Sequence, residues 1–451
     1  MYMYMMFIVF LFLHFCIAQL DKYNTLFEFF RTNTEQVVLH KEDNHIYRKR
    51  ALQSKLDLTK FNEIIGINIE HNYIHVEGLV RFDDLFDYTQ IYGYMPQVVP
   101  ELRSITVGGA ISGVGLESSS FKYGLFHDTV FEYEVITGNG EIVICNNETN
   151  SDLYFGMPNS YGTFGYILSA KLKIIKTKPY VRIENAHFTN PELFISEIEK
   201  YDLTFDFIDA TILNKTNMYI SHAIMVDNIY TNTLSKYGID IYYKSISNKQ
   251  TDYMTIKEYI WRYDSNYFYL GGNGEYIYEN WIFRTIAYPI LRSDYLRKLG
   301  QNPILNRIMS YITSRHSESI VNDLSVDTKA FVEFLEWFDS NINVYPVWVC
   351  PYITLRDTFF LEKEHFGIDF GIGFGVSKYT SVDDEPNKYR KMIDQKMFSM
   401  KRKKGLYPAT FLEYEQFKLL YDDTNVYDTL KSKYDTNRIF PSLYDKVCKN
   451  V

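Results

Sequence analysis

The chain has 451 residues, more than one hydrophobic core usually organises, so two domains or one large composite domain are expected. Hydrophobic residues make up 46% and Gly and Pro are few (23 and 12), which excludes low-complexity and collagen-like chains. A net charge of −9 argues against a general nucleic-acid binder, which needs a basic face to neutralise phosphate.

No charged side chain precedes Asp21, and residues 5–18 form a strongly apolar run. Two readings stay open. A secretory signal peptide has an apolar stretch of this length and a small residue before its cut, here Ala18, although the usual basic start is missing. A membrane anchor needs about 20 apolar residues, and Met1 to Leu20 just suffices, with His14 and Gln19 as blemishes. Both direct the chain to a membrane system. It is then membrane-associated through its N-terminus, as in the endoplasmic reticulum, or secreted or luminal. Cys16, Cys145, Cys350 and Cys448 are far apart, so neither a disulfide framework nor a zinc site is expected.

Residues 73–80 alternate as a strand with Ile74, Val76 and Val80 on one face. Phe82, Leu85, Tyr88 and Ile91 recur at helical spacing. Two β-rich runs, 130–136 and 141–145, are joined by Gly138-Asn139-Gly140, a hairpin signal. Residues 161–165 are a second glycine turn, and 170–176 a strand with one solvated face. After Pro179 glycines thin out and aromatics become dense. Pro191 opens an amphipathic helix ending near Tyr201. Strands are expected at 207–213, 218–226, 343–353 and 367–376, and helices at 253–263, 290–315, 328–339, 387–400 and 411–433. Strands that do not alternate strictly with helices indicate an α+β fold. The basic run Lys401-Arg402-Lys403-Lys404 reads as a solvated turn.

The segment Thr106-Val107-Gly108-Gly109-Ala110-Ile111-Ser112-Gly113-Val114-Gly115-Leu116-Glu117-Ser118 carries the main chemical signal. Glycine lets a backbone approach a ligand without a Cβ in the way, and lets N–H groups converge on a pyrophosphate. The bland alternative is a tight turn in a β-bulge region. The segment lacks the lysine of a P-loop. It is not a Rossmann fingerprint either, since Ser118 stands at the third glycine position.

Pro100-Glu101-Leu102, TVGGAISGVGLESSSFKYGLF (106–126) and NSDLYFGMPNSYGTFGYILSAKLKI (150–174) resemble the flavin domain of the Δ24-sterol reductase family. So, further on, do YIWRYDSNYF (259–268), INVYPVWVCPY (342–352), IDFGIGFG (368–375) and FPSLYDKVCK (440–449). That family has the vanillyl-alcohol oxidase/p-cresol methylhydroxylase fold. The resemblance implies an FAD-binding domain of two α+β subdomains and an α+β cap that covers the flavin ring. The chain then divides into the leader 1–20, a flavin domain 21–180 and a cap or substrate domain 181–451. Roughly the last 45 residues would pack back on the flavin domain.

By the same resemblance Thr106 to Ser118 cradle FAD, and Gly162, Thr163 and Gly165 run beside the flavin. Residues His45-Ile46-Tyr47-Arg48-Lys49-Arg50 have no Gly-His pair, so FAD is expected to be non-covalent, with Arg48 and Arg50 as candidate partners of the pyrophosphate. Trp261, Arg262 and Asp264, with Tyr263, suggest a wall for an apolar substrate with one polar end. The alternative is a core aromatic pair and a surface ion pair. The family's Tyr-x-Asp-x-Tyr motif reads Tyr407-Pro408-Ala409-Thr410-Phe411 here. That leaves Tyr407 as the foremost candidate acid, with Tyr414 and Glu415 behind it. Lys122 and Tyr123, just after the glycine segment, are further catalytic candidates.

The expected activity is hydride transfer between flavin N5 and an alkene of a sterol-like apolar small molecule, with NADPH as reductant and a protein acid acting in concert. The alternatives are an FAD-dependent alcohol or sugar oxidase or dehydrogenase of the same fold, and a flavin-fold binding module without activity.

Overall fold

The computed structural model describes residues 21–41, 48, 54–231, 233–237, 239–266, 280–287, 291–295, 316–359, 361, 366–373, 377–380 and 384–449. The leader 1–20, the residues His45 to Tyr47, Lys49 and Arg50, and most of the helix expected at 290–315 lie outside the described residues. Among the described residues no helix is long and apolar enough to cross a membrane.

The fold is α+β. A short parallel pair, β1 (Val37–His40) and β2 (Ser54–Asp57), precedes a six-stranded antiparallel sheet. The sheet comprises β3 (Ile64–Asn68), β4 (Tyr73–Glu77), β5 (Tyr94–Pro96), β6 (Val130–Thr137), β7 (Ile142–Asn146) and β8 (Gly165–Lys176). The 12-residue β8 organises it. Along its length it pairs β4 at Ile74↔Leu172, β6 at Tyr133↔Ala170 and β5 at Met95↔Ile175. Gly140, at φ +76°, makes the tight turn between β6 and β7, a conformation that costs a Cβ-bearing residue. Helix α1 (Phe82–Gln90) buries Phe82, Leu85, Phe86 and Thr89, the one-sided spacing of an amphipathic helix.

After Thr177 the chain enters a second, seven-stranded antiparallel sheet, ordered β12-β9-β11-β10-β15-β16-β14. Its strands are β9 (Tyr180–Phe188), β10 (Phe207–Asn214), β11 (Asn217–Val226), β12 (Thr251–Thr255), β14 (Asn322–Val326), β15 (Val347–Tyr352) and β16 (Gly367–Ile372). Strands β13 (His316–Ser319) and β17 (Ser377–Thr380) pair apart from it. Two helices cover one face. Asn190 caps the first, Pro191–Ile198, by accepting from Leu193 N, and Pro191 supplies the preset first turn. The second, Phe331–Asn341, sends Phe331 against Phe194 and Phe334 against Phe370. One apolar core runs from Val76 and Leu172 of the first sheet to Ile220 and Val349 of the second.

Some local expectations differ. Residues 253–263 begin as strand β12 and turn helical only at Ile256–Ile260, because Thr255 caps the helix by accepting from Glu258 N. The helix expected at 411–433 is two, Tyr414–Tyr421 and Val426–Tyr434, broken where Asn425 takes φ +57°. Of the basic run 401–404, Lys404 is buried and paired with Asp394 at 2.5 Å, and so is no solvated side chain. The C-terminal helix returns to the first sheet. Lys431 Nζ donates to Thr163 O at 2.6 Å, Asn139 N to Tyr434 O at 3.2 Å, and Val37 N to Ile439 O at 2.8 Å.

Candidate active site

The glycine segment is not irregular throughout. Val107–Gly113 is a short helix, here α2, whose N-cap Thr106 accepts from Gly109 N at 3.4 Å and also receives Lys41 Nζ at 2.8 Å. Val114 ends it in the left-handed region at φ 58°. One side of α2 faces the core through Val107 and Ile111. The other side borders a cleft, together with Tyr161, Gly162, Tyr166 and, from the second sheet, Asp323 and Trp348. Tyr407 completes that far wall.

The expected cofactor residues separate on this surface. Thr106, Gly108, Gly109, Ala110, Ser112, Gly113, Val114, Gly115, Leu116 and Gly162 line the cleft. Val107, Ile111, Glu117, Ser118, Thr163 and Gly165 do not, and are buried. Glu117 pairs with Arg262, and the Ser118 and Tyr259 hydroxyls hydrogen-bond at 3.1 Å. The glycines also differ in their reasons. A Cβ on Gly165 would lie 2.4 Å from Ile136 O, and one on Gly108 3.0 Å from Gly78 O, so both serve close backbone packing. A Cβ on Gly113 meets nothing closer than the Tyr161 ring at 3.5 Å, and exposed Gly109 faces Thr106 Oγ1 at 3.0 Å and Lys41 Nζ at 3.5 Å. These two leave the backbone open to a ligand.

Of the proposed catalytic residues, Tyr407 lines the cleft. Lys122 is held elsewhere by Phe205 O at 3.2 Å and Asp206 at 3.6 Å, and Tyr123 lies beside it. Glu415 is on the exposed first turn of its helix. The residues expected to form a substrate wall are placed elsewhere. Trp261, Arg262 and Asp264 are in the core, away from the cleft. Arg262 is fully buried between Glu117 at 2.8 Å and Asp209 at 2.9 Å, so it is no surface ion. Asp264 accepts from Arg103 N at 3.0 Å and from Arg103 Nε at 3.1 Å. The physical reason is cost: a buried guanidinium needs carboxylates around it, and Glu117 and Asp209 hold this one in the core, away from any ligand in the cleft.

Reading the sequence alone did not single out the roles of Glu101, Asp323, Trp348, Lys41 and Lys446, all of which line the cleft. A hydrogen bond joins the Tyr407 hydroxyl and the Asp323 carboxyl. Burial, then the charges of Asp323, Asp369 and Glu101, push the Tyr407 hydroxyl well above the usual tyrosine range. Burial also pushes Glu101 well above the usual carboxylate range, with Glu117 adding to it. Glu101 keeps partial exposure by area because it borders the cleft, yet it sits deep enough for desolvation to dominate.

A family model described as FAD binding domain matches residues 51–146, which include the whole glycine segment. The Δ24-sterol reductase of Rattus norvegicus is 26% identical over 400 residues, covering 86% of this chain and 76% of that protein. The Δ24-sterol reductase of Arabidopsis thaliana is 27% identical over 335 residues, 67% of this chain and 57% of that protein. Cytokinin dehydrogenase 1 of Arabidopsis thaliana is 28% identical over 150 residues, 32% of this chain and 26% of that protein. The chain is a Δ24-sterol reductase-like, FAD-linked oxidoreductase. The cleft fits that cofactor on its own chemistry. Lys41, Arg48 and Lys446 bring three cations to it, beside two glycines that leave the backbone accessible. Arg48 lies over the Tyr161 ring at 5.4 Å, and Lys446 Nζ donates to Tyr161 O at 2.5 Å.

Proposed function

We propose that the protein holds FAD without a covalent link in this cleft and reduces an isolated carbon–carbon double bond of a sterol-like or other apolar substrate, with NADPH as reductant. The observation that carries this reading is the position of Tyr407, an O–H donor that shares the cleft with the glycine segment and is backed by Asp323. Reduced FAD supplies the hydride. An isolated alkene is a poor hydride acceptor, so an acid must protonate the neighbouring carbon in the same event. Tyr407 is that acid. Lys41 and Arg48 bind the pyrophosphate, and Gly109 and Gly113 admit the cofactor's edge. Residues 21–180 are proposed as the flavin domain and 181–451 as the cap, and the hydrogen bonds that Lys431 Nζ donates to Thr163 O and Tyr434 O accepts from Asn139 N support the return of the C-terminal segment. Membrane association would come through residues 1–20.

The decisive experiment mixes the purified full chain with NADPH without oxygen. Bleaching of the visible flavin band, followed by its return when a sterol alkene is added, is expected. A flavin inert to NADPH overturns the reading. The second reading, oxidation of an alcohol by FAD, draws on the same Asp323, which as a carboxylate behind Tyr407 would accept the hydroxyl proton. It predicts bleaching by an alcohol and none by NADPH. Acid precipitation tests the cofactor linkage. Yellow supernatant is expected, and colour in the pellet means a covalent link.

A further inference from the structure

The floor of the cleft holds groups that cofactor binding does not explain. Asp323 on β14 stands opposite Gly371 of β16. A Cβ at Gly371 would lie 3.1 Å from Trp348 Cε3, 3.3 Å from Asp369 Oδ2 and 3.6 Å from Asp323 Oδ1. Two carboxyls therefore converge over a residue with no side chain to part them. Gly405 does the same for Tyr407. A Cβ there would lie 3.1 Å from Tyr407 Cε1 and 3.6 Å from Asp323 Cβ. Gly405 N also donates to Asp323 O at 2.8 Å, which ties the loop bearing Tyr407 to the strand bearing Asp323. Asp369 is 4% exposed, and its Oδ2 has no hydrogen-bond partner among the described residues.

We propose that Asp323 is the proton reservoir of Tyr407, a positioning residue that stays protonated at rest and restores the phenol each time Tyr407 gives its proton to carbon. This rests on the reductase reading above. The alkene takes a hydride on one carbon and the Tyr407 proton on the other. The Asp323 O–H bond then breaks as the Tyr407 O–H bond re-forms, and water at the cleft mouth reprotonates the carboxylate. The hydride and its electron pair come from FAD, reduced in turn by NADPH.

The surroundings suit a held proton. Burial raises Asp323 to about 7, and the hydrogen bond with Tyr407 opposes part of that rise. Asp369 is pushed well above the carboxylate range, by burial first and then by Asp323 and Glu101. The ionisable groups facing Asp323 are Glu101, Asp369, Tyr407 and Tyr161. Of the cations nearby, Arg48 lies over the Tyr161 ring, Lys404 Nζ is held by Asn322 Oδ1 at 3.1 Å, and Arg262 acts on Glu101. Three carboxyls so placed cannot all ionise cheaply, and they titrate as a set.

Infrared titration of the purified full chain, without any substrate, reads the resting proton directly. Protonated-carboxyl absorption is expected in the wild type, and the part of it that disappears about pH 7 should be lost in Asp323→Asn, while the part belonging to Asp369 and Glu101 persists. Alkene-driven reoxidation of the reduced enzyme should fall about tenfold per pH unit above that midpoint in the wild type. In Asp323→Asn it should be slow at all pH values, with flavin content and reduction by NADPH kept, and Asp323→Glu should restore the falling limb. A component near pH 7 unchanged in Asp323→Asn, or a limb unchanged in its flavin-loaded form, overturns the reservoir. A flavin that NADPH does not bleach overturns the reductase reading instead, whatever the band does.

Discussion

Two groups of buried and half-buried carboxylates flank Trp348, and the same residue types do different work in each. On one side Glu117 and Asp209 share Arg262, which is stacked between Tyr259 at 4.2 Å and Tyr263 at 4.6 Å. The Tyr263 hydroxyl donates to Asp209 at 2.8 Å, and the Trp348 indole N–H donates to it at 3.0 Å. On the other side Asp323 and Glu101 border the cleft and Asp369 is buried beside Asp323, with no such guanidinium between them among the described residues, and burial drives all three upward. A charge with its counter-ion becomes structure. A carboxyl held without one keeps its proton and gains chemistry.

The sharpest way to break this comparison is Arg262→Met. It would leave two carboxylates buried with no cation, a loss of about 3–5 kcal/mol. Urea denaturation of the purified chain measures it. A loss below about 1 kcal/mol would mean that the paired group does not need its counter-ion, and that the two groups are alike.

Gly109→Val tests the cleft wall itself. A branched side chain would press on Thr106 Oγ1, already 3.0 Å from a Cβ there, and would block the open side of α2. Overpacking of about 1–3 kcal/mol translates into flavin binding weakened by roughly tenfold or more. Flavin retained per protein after gel filtration reports it. Full retention would assign the glycine to local backbone geometry.

Asp323→Asn should also alter stability in one pH window. The folded value of about 7 lies above that of an unfolded aspartate. The folded state therefore holds the extra proton between the two, and the stability from this group, full below about pH 4, drains as pH rises through about 7. The variant lacks this term. Its Tm relative to wild type should climb by roughly 1–4 °C from pH 4 to pH 8. A parallel pair of Tm curves would put Asp323 at an ordinary value.

Much of the part built on the first sheet is legible because its signals are local. The Gly138-Asn139-Gly140 hairpin, the one-sided spacing of α1 and the glycine segment each declare themselves within a dozen residues. The far wall is not. Along β14 Asn322, Leu324 and Val326 are buried while Asp323 and Ser325 face the other way, and that alternation says strand without saying what the second face meets. Asp323 and Trp348 come together through the pairing of β14 with β16 and of β15 with β16, and Tyr407 joins them through the loop that Gly405 N ties to Asp323 O, contacts far apart in sequence. Trp261, Arg262 and Asp264 show the converse. An aromatic and charged cluster suggested a ligand wall, but its partners Glu117, Asp209 and Arg103 come from elsewhere in the chain and close it into the core.

Trp348→Phe makes the finest test, because this one ring touches both groups. Its N–H serves Asp209 and its Cε3 edge faces the point where Asp369 and Asp323 converge. Phenylalanine keeps an aromatic face towards the cleft but cannot donate. One hydrogen bond to a buried carboxylate is lost, about 1.5–3 kcal/mol, less than the whole guanidinium. Asp209 keeps Arg262 and Tyr263, so the fold should hold. If the ring only separates the two groups, the pH midpoint of alkene-driven reoxidation stays where the wild type has it while stability falls. If the midpoint moves down by a full pH unit, the paired carboxylates communicate with the cleft through the indole, and the two groups form one electrostatic system.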